Sequence, residues 1–363
     1  MVGSLVVGCS EGEPAGSAGG APSGGAGGSS AGAAGSAGSG GKGGSGGAVA
    51  GGGAGRGGSA AAGTGMVEHE GCVADPVPLA EAPGVTVLAG EGLTERYGAV
   101  EVNAEHVFVA SNRGIERVSK EGGASELVAA DTDAPRFRLG GDNLYYIREG
   151  ALHSVPTTAT EATPTVVAPD IGVDEPNDNL LVVDDGYAYL WARATEAITR
   201  LELASGEITP VVEGVSNIAW HIYDGFMYFG DDFDRVMRVP LVGGEPEVVY
   251  SPPEVLWSIA VGAPGVFVGS YGAIYAQAEP SSDTLFEDPF TDAGSQMYIE
   301  RLAIHADQLL FTGSAIGDDR IGWVKIDGSS CATFRASVFI DEWAFDDANL
   351  YVTGGTLLYK LPL

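Results

Sequence analysis

Carboxylates are the residues here whose type and spacing could do chemistry. Asp231, Asp232 and Asp234 crowd one short loop, Asp174, Glu175, Asp178, Asp184 and Asp185 cluster earlier, and Asp318-Asp319 form a later pair. Calcium takes about six to eight oxygen ligands, which acidic loops can supply. None of these clusters follows the spacing of a dedicated calcium loop, so Asp231, Asp232 and Asp234 stand as weak metal candidates beside the plainer reading of solvated turn acids. Two carboxylates facing each other across a groove could also cleave a glycosidic bond. The five histidines, His69, His106, His153, His221 and His305, are too far apart in sequence to form a local metal motif. The G-x-S-x-G match at Gly43 to Gly47 lies in a Gly-rich stretch without the strand and helix that a nucleophile elbow needs. No catalytic residue is assigned.

The elements that would position these groups repeat. The template is Ser216–Tyr250, with four short apolar runs: Asn217–Ile222, Phe226–Phe229, Arg235–Val239 and Glu247–Tyr250. Asp224-Gly225 between the first two is a two-residue hairpin turn, because both central positions of that turn need a positive φ. Aligned on the first apolar residue of the second run, the units fall at Val107, Leu144, Tyr187, Phe226, Val266, Leu309 and Leu350. The intervals are 37, 43, 39, 40, 43 and 41 residues, 40.5 on average, which is the period of a four-stranded propeller blade. A small signature marks four first runs: Ile218-Ala219-Trp220, Ile259-Ala260-Val261, Leu302-Ala303-Ile304 and Trp343-Ala344-Phe345. Alanine there suits an inner strand crowded against the axis. Trp191, Trp220, Trp257, Trp323 and Trp343 all fall in strand runs, where they pack between blades.

Third runs place a basic residue before an aliphatic one, at Arg117, Arg200, Arg238, Lys325 and Lys360. These are either a ring of ligand-binding cations or structural charges satisfied by neighbouring strands. The last unit has three runs and then the chain stops, while Val85–Ala89 is a strand without a hairpin partner. Pairing the two leaves neither edge open. The expected fold is therefore all-β: a seven-bladed β-propeller over residues 85–363, closed by its N-terminal strand, after a lead-in at 66–84.

Residues 11–65 contain 25 Gly and no Leu, Ile, Phe, Tyr or Trp, too little apolar surface to offset chain entropy. They read as a disordered Gly/Ser/Ala tether whose ends lie about 40 Å apart as a coil. The net charge of −31 sits on residues 66–363, where 47 acids face 16 bases. Such a surface repels nucleic acid and anionic membranes and favours cations, basic proteins or neutral glycans. No stretch is long and apolar enough for a membrane helix.

Val6-Val7-Gly8-Cys9 resembles a bacterial lipobox. The resemblance implies a signal remnant at residues 1–10, lipid on Cys9, and membrane association only through that anchor. Ser10 after the cysteine favours the outer membrane; a secreted protein is the other extracytoplasmic outcome. In an oxidising compartment Cys72 and Cys331 remain as a pair, expected to staple the lead-in to the penultimate blade. The textures Asn349-Leu-Tyr-Val-Thr-Gly and Phe226-Met-Tyr-Phe-Gly-Asp resemble the TolB-like and YWTD-like β-propeller repeats of exported proteins. That resemblance implies binding of a protein or ligand on one face, carries no catalytic residue, and makes six blades the alternative count. The functional expectation is a non-enzymatic cell-envelope propeller that binds a protein or glycan and needs no cofactor, Ca²⁺ being the one ion considered. The alternative is a carbohydrate-active enzyme, a glycosidase or lyase, using channel-mouth carboxylates.

Overall fold

The computed structural model describes residues 77–89, 99–130, 136–172, 180–192, 195–215, 219–277, 282–287, 297–315, 318–336 and 340–363. The segment 11–65, Cys9, Cys72, His69, Asp174, Glu175 and Asp178 lie outside them.

Alternating aromatic and branched residues between tight turns give short antiparallel strands, and these assemble into seven sheets. Blades 1 to 5 are four-stranded meanders at residues 100–130, 137–168, 180–213, 220–250 and 258–287. Blade 6 spans 298–336 and blade 7 spans 340–362. The count is seven, not six. Blade 7 supplies three strands of its own, and its fourth is Thr86–Ala89, antiparallel to Leu357–Pro362 with Thr86 opposite Lys360. The chain ends thus close the ring.

One detail shows how completely the N-terminal strand plays this part. In blades 1, 3, 4 and 5 the pairing of third and fourth strands slips by one residue, leaving Val128, Val211, Val249 and Leu285 as the extra residue of a bulge. Val167 does the same in blade 2. Leu88 repeats it in blade 7, although it lies some 270 residues before its partner strand in the sequence. A bulge bends a strand and spoils its outer edge for further pairing. Blade 6 has a regular outer pairing instead, and its edge is covered by Val77–Pro78, a parallel bridge to Phe334 and Arg335.

The core is interfacial. Seven clusters of buried apolar side chains occur, one between each pair of neighbouring blades. Blades 7 and 1 are joined by Leu88, Val100, Val107, Val109, Val118, Tyr351 and Leu358. Basic residues of the third strands stitch the same interfaces. Arg117 of blade 1 pairs with Glu126 at 2.6 Å and donates from Nη1 to the carbonyls of Thr157 and Ala159 in blade 2. Arg200 of blade 3 lies over Tyr187 and donates to the Leu241 carbonyl in blade 4. Lys360 of blade 7 donates to the Lys120 carbonyl in blade 1. These charges serve the repeat rather than a ligand ring. Lys325 sits two positions off this register and pairs with Asp307 at 3.1 Å.

The register corrects the sequence alignment at two units. The residues equivalent to Val107 and Leu144 are Ala188 and Met227, one past Tyr187 and Phe226. The inner-strand alanine recurs at Ala260, Ala303 and Ala344, but the matching position in blade 4 is His221, not Ala219. In blades 3 and 4 an aromatic ring occupies the turn-flanking position, so the first apolar residue of the run is not the first buried one.

Candidate functional site

Inner strands bring residues two apart to the same face, so ionisable residues on different blades line up as rungs around the axis. Glu101 of blade 1 and Arg138 of blade 2 occupy one rung, opposite Phe108 and Tyr145 of their second strands. Arg301 of blade 6 and Glu342 of blade 7 form the next rung inward, opposite Thr312 and Thr353. Asp184 lies two residues beyond the first rung, toward the hairpin turns that join first and second strands. These rungs border a cavity of about 290 Å³, whose walls include Val102, Leu139, Val182, Val183, Ile222, Tyr223, Trp343 and Phe345.

The two arginines are held differently. Arg301 is buried, bonds Glu342, donates to the Trp343 carbonyl and lies 4.9 Å from the Trp343 ring centroid. Burial pushes its pKa down, opposed by the charge of Glu342. Arg138 is equally buried, but its Nη1 donates only to its own Phe137 carbonyl at 3.0 Å. Glu101 stands 3.6 Å from that nitrogen, beyond hydrogen-bond length, and the Arg138 Nε has no partner among the described residues. Burial pushes the Glu101 carboxyl up to about 7, against the pull of Arg138. Near neutral pH Glu101 is therefore a partial charge, and Arg138 lacks a full counter-ion.

A second feature lies on the opposite face, where second strands turn into third and fourth strands lead into the next blade. Phe233, Trp257, Tyr271 and Tyr298 form a contiguous aromatic group. Trp257 is 6.0 Å from Phe233, 5.6 Å from Tyr271 and 5.2 Å from Tyr298 between ring centroids. Phe233 and Tyr298 remain 41% and 37% exposed. Backbone bonds across blades 4, 5 and 6 fix the group: Leu256 N–H to the Phe233 carbonyl at 2.8 Å, Trp257 N–H to Gly269, and Ile299 N–H to Ser270. Asp232 and Phe233 both hold positive φ, 47° and 63°, a costly conformation for a bulky side chain. Trp257 thus sits partly buried just before the strand Ser258–Gly262, outside the strand run expected for it, and meets rings from blades 4, 5 and 6.

The sequence candidates distribute as follows. Asp231, Asp232 and Asp234 share the Phe233 loop, where Arg235 pairs with Asp231 at 2.6 Å and Asp234 at 3.3 Å. Among the described residues no group of three or more His, Cys, Asp or Glu is placed to hold a metal. Asp319 accepts the Ile340 N–H at 2.8 Å, a link between blades 6 and 7. His153 stacks on Tyr146, His305 meets Phe345 edge-on, and His106 is near Phe108, each in a different blade. His221 is buried beside the Val261 backbone, and burial pushes its pKa down to about 4 against the pull of that backbone group. Cys331 is buried on the outer strand of blade 6 and is not a free thiol. Sequence reading passed over Glu101, Arg138, Arg301 and Glu342. Their signal was an ionisable residue inside an apolar first run, as in Val100-Glu101-Val102 and Phe137-Arg138-Leu139. Phe233 was hidden among the aspartates that flank it.

No protein family and no curated protein matches the sequence. Solved structures do match in fold. Virginiamycin B lyase from Staphylococcus aureus is 11% identical with a TM-score of 0.57, covering 77% of this chain and 99% of that one. The WD40 repeats of RRP9 are 11% identical with a TM-score of 0.57, over 80% and 99% of the two chains. YCF48 from Cyanidioschyzon merolae is 12% identical with a TM-score of 0.54, over 77% and 98%. At such identities the likeness is one of architecture: a β-propeller.

Proposed function

We propose that this chain is a non-enzymatic binding module of a bacterial envelope, held by lipid on Cys9 and a Gly-rich tether, and that it grips a basic segment of a partner protein. The observation that carries the reading is the aromatic group of Phe233, Trp257, Tyr271 and Tyr298, kept exposed by a strained loop and flanked by Asp231, Asp232, Asp234 and Glu254. Aromatic faces attract Lys and Arg side chains, and the surrounding acids add to that attraction. A neutral glycan is the competing ligand for the same rings. The test is capture from a native envelope extract by the full chain, comparing wild type with Phe233→Ser/Tyr298→Ser and with Val242→Ser on the other face. The expected result is a basic protein lost from the double variant and released by salt; an unchanged catch from the double variant would overturn the reading.

The staple Cys72–Cys331 belongs to the same proposal. Val77–Pro78 runs parallel to Phe334 and Arg335, so Cys72 and Cys331 precede paired residues by five and three positions. A non-reduced digest should yield the linked peptides, and separate peptides would refute the bond.

A carbohydrate-active enzyme is the second reading, favoured by the raised acid Glu101 close enough to Glu342 to feel its charge. It requires turnover on a glycan panel that Glu101→Gln abolishes.

A further inference from the structure

The channel cavity is a different place from the aromatic rim, and its chemistry is different. Its deep end offers a buried cation with spare bonding capacity: Arg138, 7% exposed, with an Nε unpartnered among the described residues and a carboxylate neighbour too distant to bond. Arg301, by contrast, is already engaged through both terminal nitrogens, by Glu342 and the Trp343 carbonyl, and lies over the face of Trp343. A buried guanidinium fork left open in this way matches a carboxylate, which it can bind through two parallel N–H donors. Its mouth has the opposite character. Asp184 and Asp224 are exposed there, and Asp224 is fixed at the tip of its hairpin by positive φ at Asp224 and Gly225. Between the two ends the walls are apolar, from Leu139, Val182, Val183, Ile222 and Phe345.

Dimensions narrow the class of ligand. A volume of about 290 Å³ exceeds what one or two waters fill and suits a molecule of roughly ten heavy atoms, at ~30 Å³ of liquid volume per water-sized group. Val182 shares the rung of Arg138, and Asp184 lies two strand residues closer to the mouth, a step of about 6.6 Å. An α-amino acid places its two charges too close together to reach both ends. A dipeptide or a short ω-amino acid separates them by about this step.

We propose that the channel binds a small zwitterion, its carboxylate on Arg138 and its ammonium group between Asp184 and Asp224, with a dipeptide or short ω-amino acid as the class. The acidic mouth holds the cationic end there, which leaves the carboxylate of the bound ligand facing Arg138. The claim stands apart from the rim reading, since no rim residue takes part.

Calorimetric titration of the full chain with glycyl-leucine and 6-aminohexanoate tests it, against hexanoate and hexylamine, each carrying one of the two charges. The expected result is saturable binding of at least one zwitterion, at least tenfold tighter than either single-charge probe. Arg138→Gln and, separately, Asp184→Asn/Asp224→Asn should each weaken it at least tenfold. The second variant alters exposed residues only and so remains folded if the first does not. No heat from either zwitterion at millimolar concentration, equal binding of hexanoate, or unchanged affinity in the aspartate variant would each overturn the proposal. Wild-type capture on the rim is unaffected by any of these variants, so the two readings fail separately.

Discussion

Replacing Leu88 with alanine measures how much of the fold depends on the closing strand. Leu88 is 4% exposed and touches both sides of the seam between blades 7 and 1, with Val100, Val107, Val118, Tyr351 and Leu358 in the same cluster. The substitution removes three carbons, a transfer loss of about 2.4 kcal/mol at ~0.8 kcal/mol each. The void adds to this, because strands bonded on both sides relax little, and the total comes to about 3–4 kcal/mol. Val87, its neighbour, is 51% exposed, so Val87→Ala should cost under about 1 kcal/mol. Leu358→Ala, fully buried in the same cluster, sets the scale for a residue inside the ring. Urea unfolding followed by tryptophan fluorescence reads all three, since Trp343 lies in blade 7. The expected order is Leu358→Ala and Leu88→Ala alike, and Val87→Ala close to wild type. If Leu88→Ala and Val87→Ala coincide within the error of the fits, the terminal strand is decoration and the argument for ring closure fails.

Two further predictions concern charge. Arg117→Met removes two charge-assisted bonds into blade 2 along with its ion pair and should cost about 2 kcal/mol, whereas Arg238→Met breaks a pair exposed on both sides and should cost under about 1 kcal/mol, both read by urea midpoints. The pH profile should be flattened by two opposed groups. Glu101, with a folded value of about 7 against an ordinary 4.5, contributes stability that is complete below pH 4.5 and is lost as pH rises through 7. His221, with a folded value of about 4 against 6.5, contributes stability that is complete above pH 6.5 and is lost as pH falls through 4. Glu101→Gln should therefore show stability rising from pH 4.5 to 6.5, and His221→Leu should show it falling over the same window. Parallel profiles for the two variants would contradict both assignments.

The architecture was legible because local signals agree with the global plan. Turn residues such as Asp224-Gly225 punctuate strands at a steady interval, and the three-run final unit announces a missing partner that Val85–Ala89 can supply. Register was harder. Tyr187 and Phe226 are apolar by type yet flank turns, and reading them as core displaced two blades by one residue and hid His221. The channel groups could not be read as a set, because Glu101, Arg138, Arg301 and Glu342 span 241 positions and meet only when the ring closes. Each alone resembles an isolated charge in a strand. The rim group was missed for a related reason: Phe233, Trp257, Tyr271 and Tyr298 come from three blades, and only backbone bonds between those blades assemble them.

Among the described residues, the regular outer strand of blade 6 is covered by Val77–Pro78 alone. Its rim strand keeps an unbroken row of amide and carbonyl groups, and Val77–Pro78 is what occupies that row at Phe334 and Arg335. Proteolysis upstream of Leu79 would bare it, and a bared regular strand recruits other strands, including the same one on another molecule. A preparation trimmed past Pro78 would therefore be expected to pair edge to edge through this blade before any other.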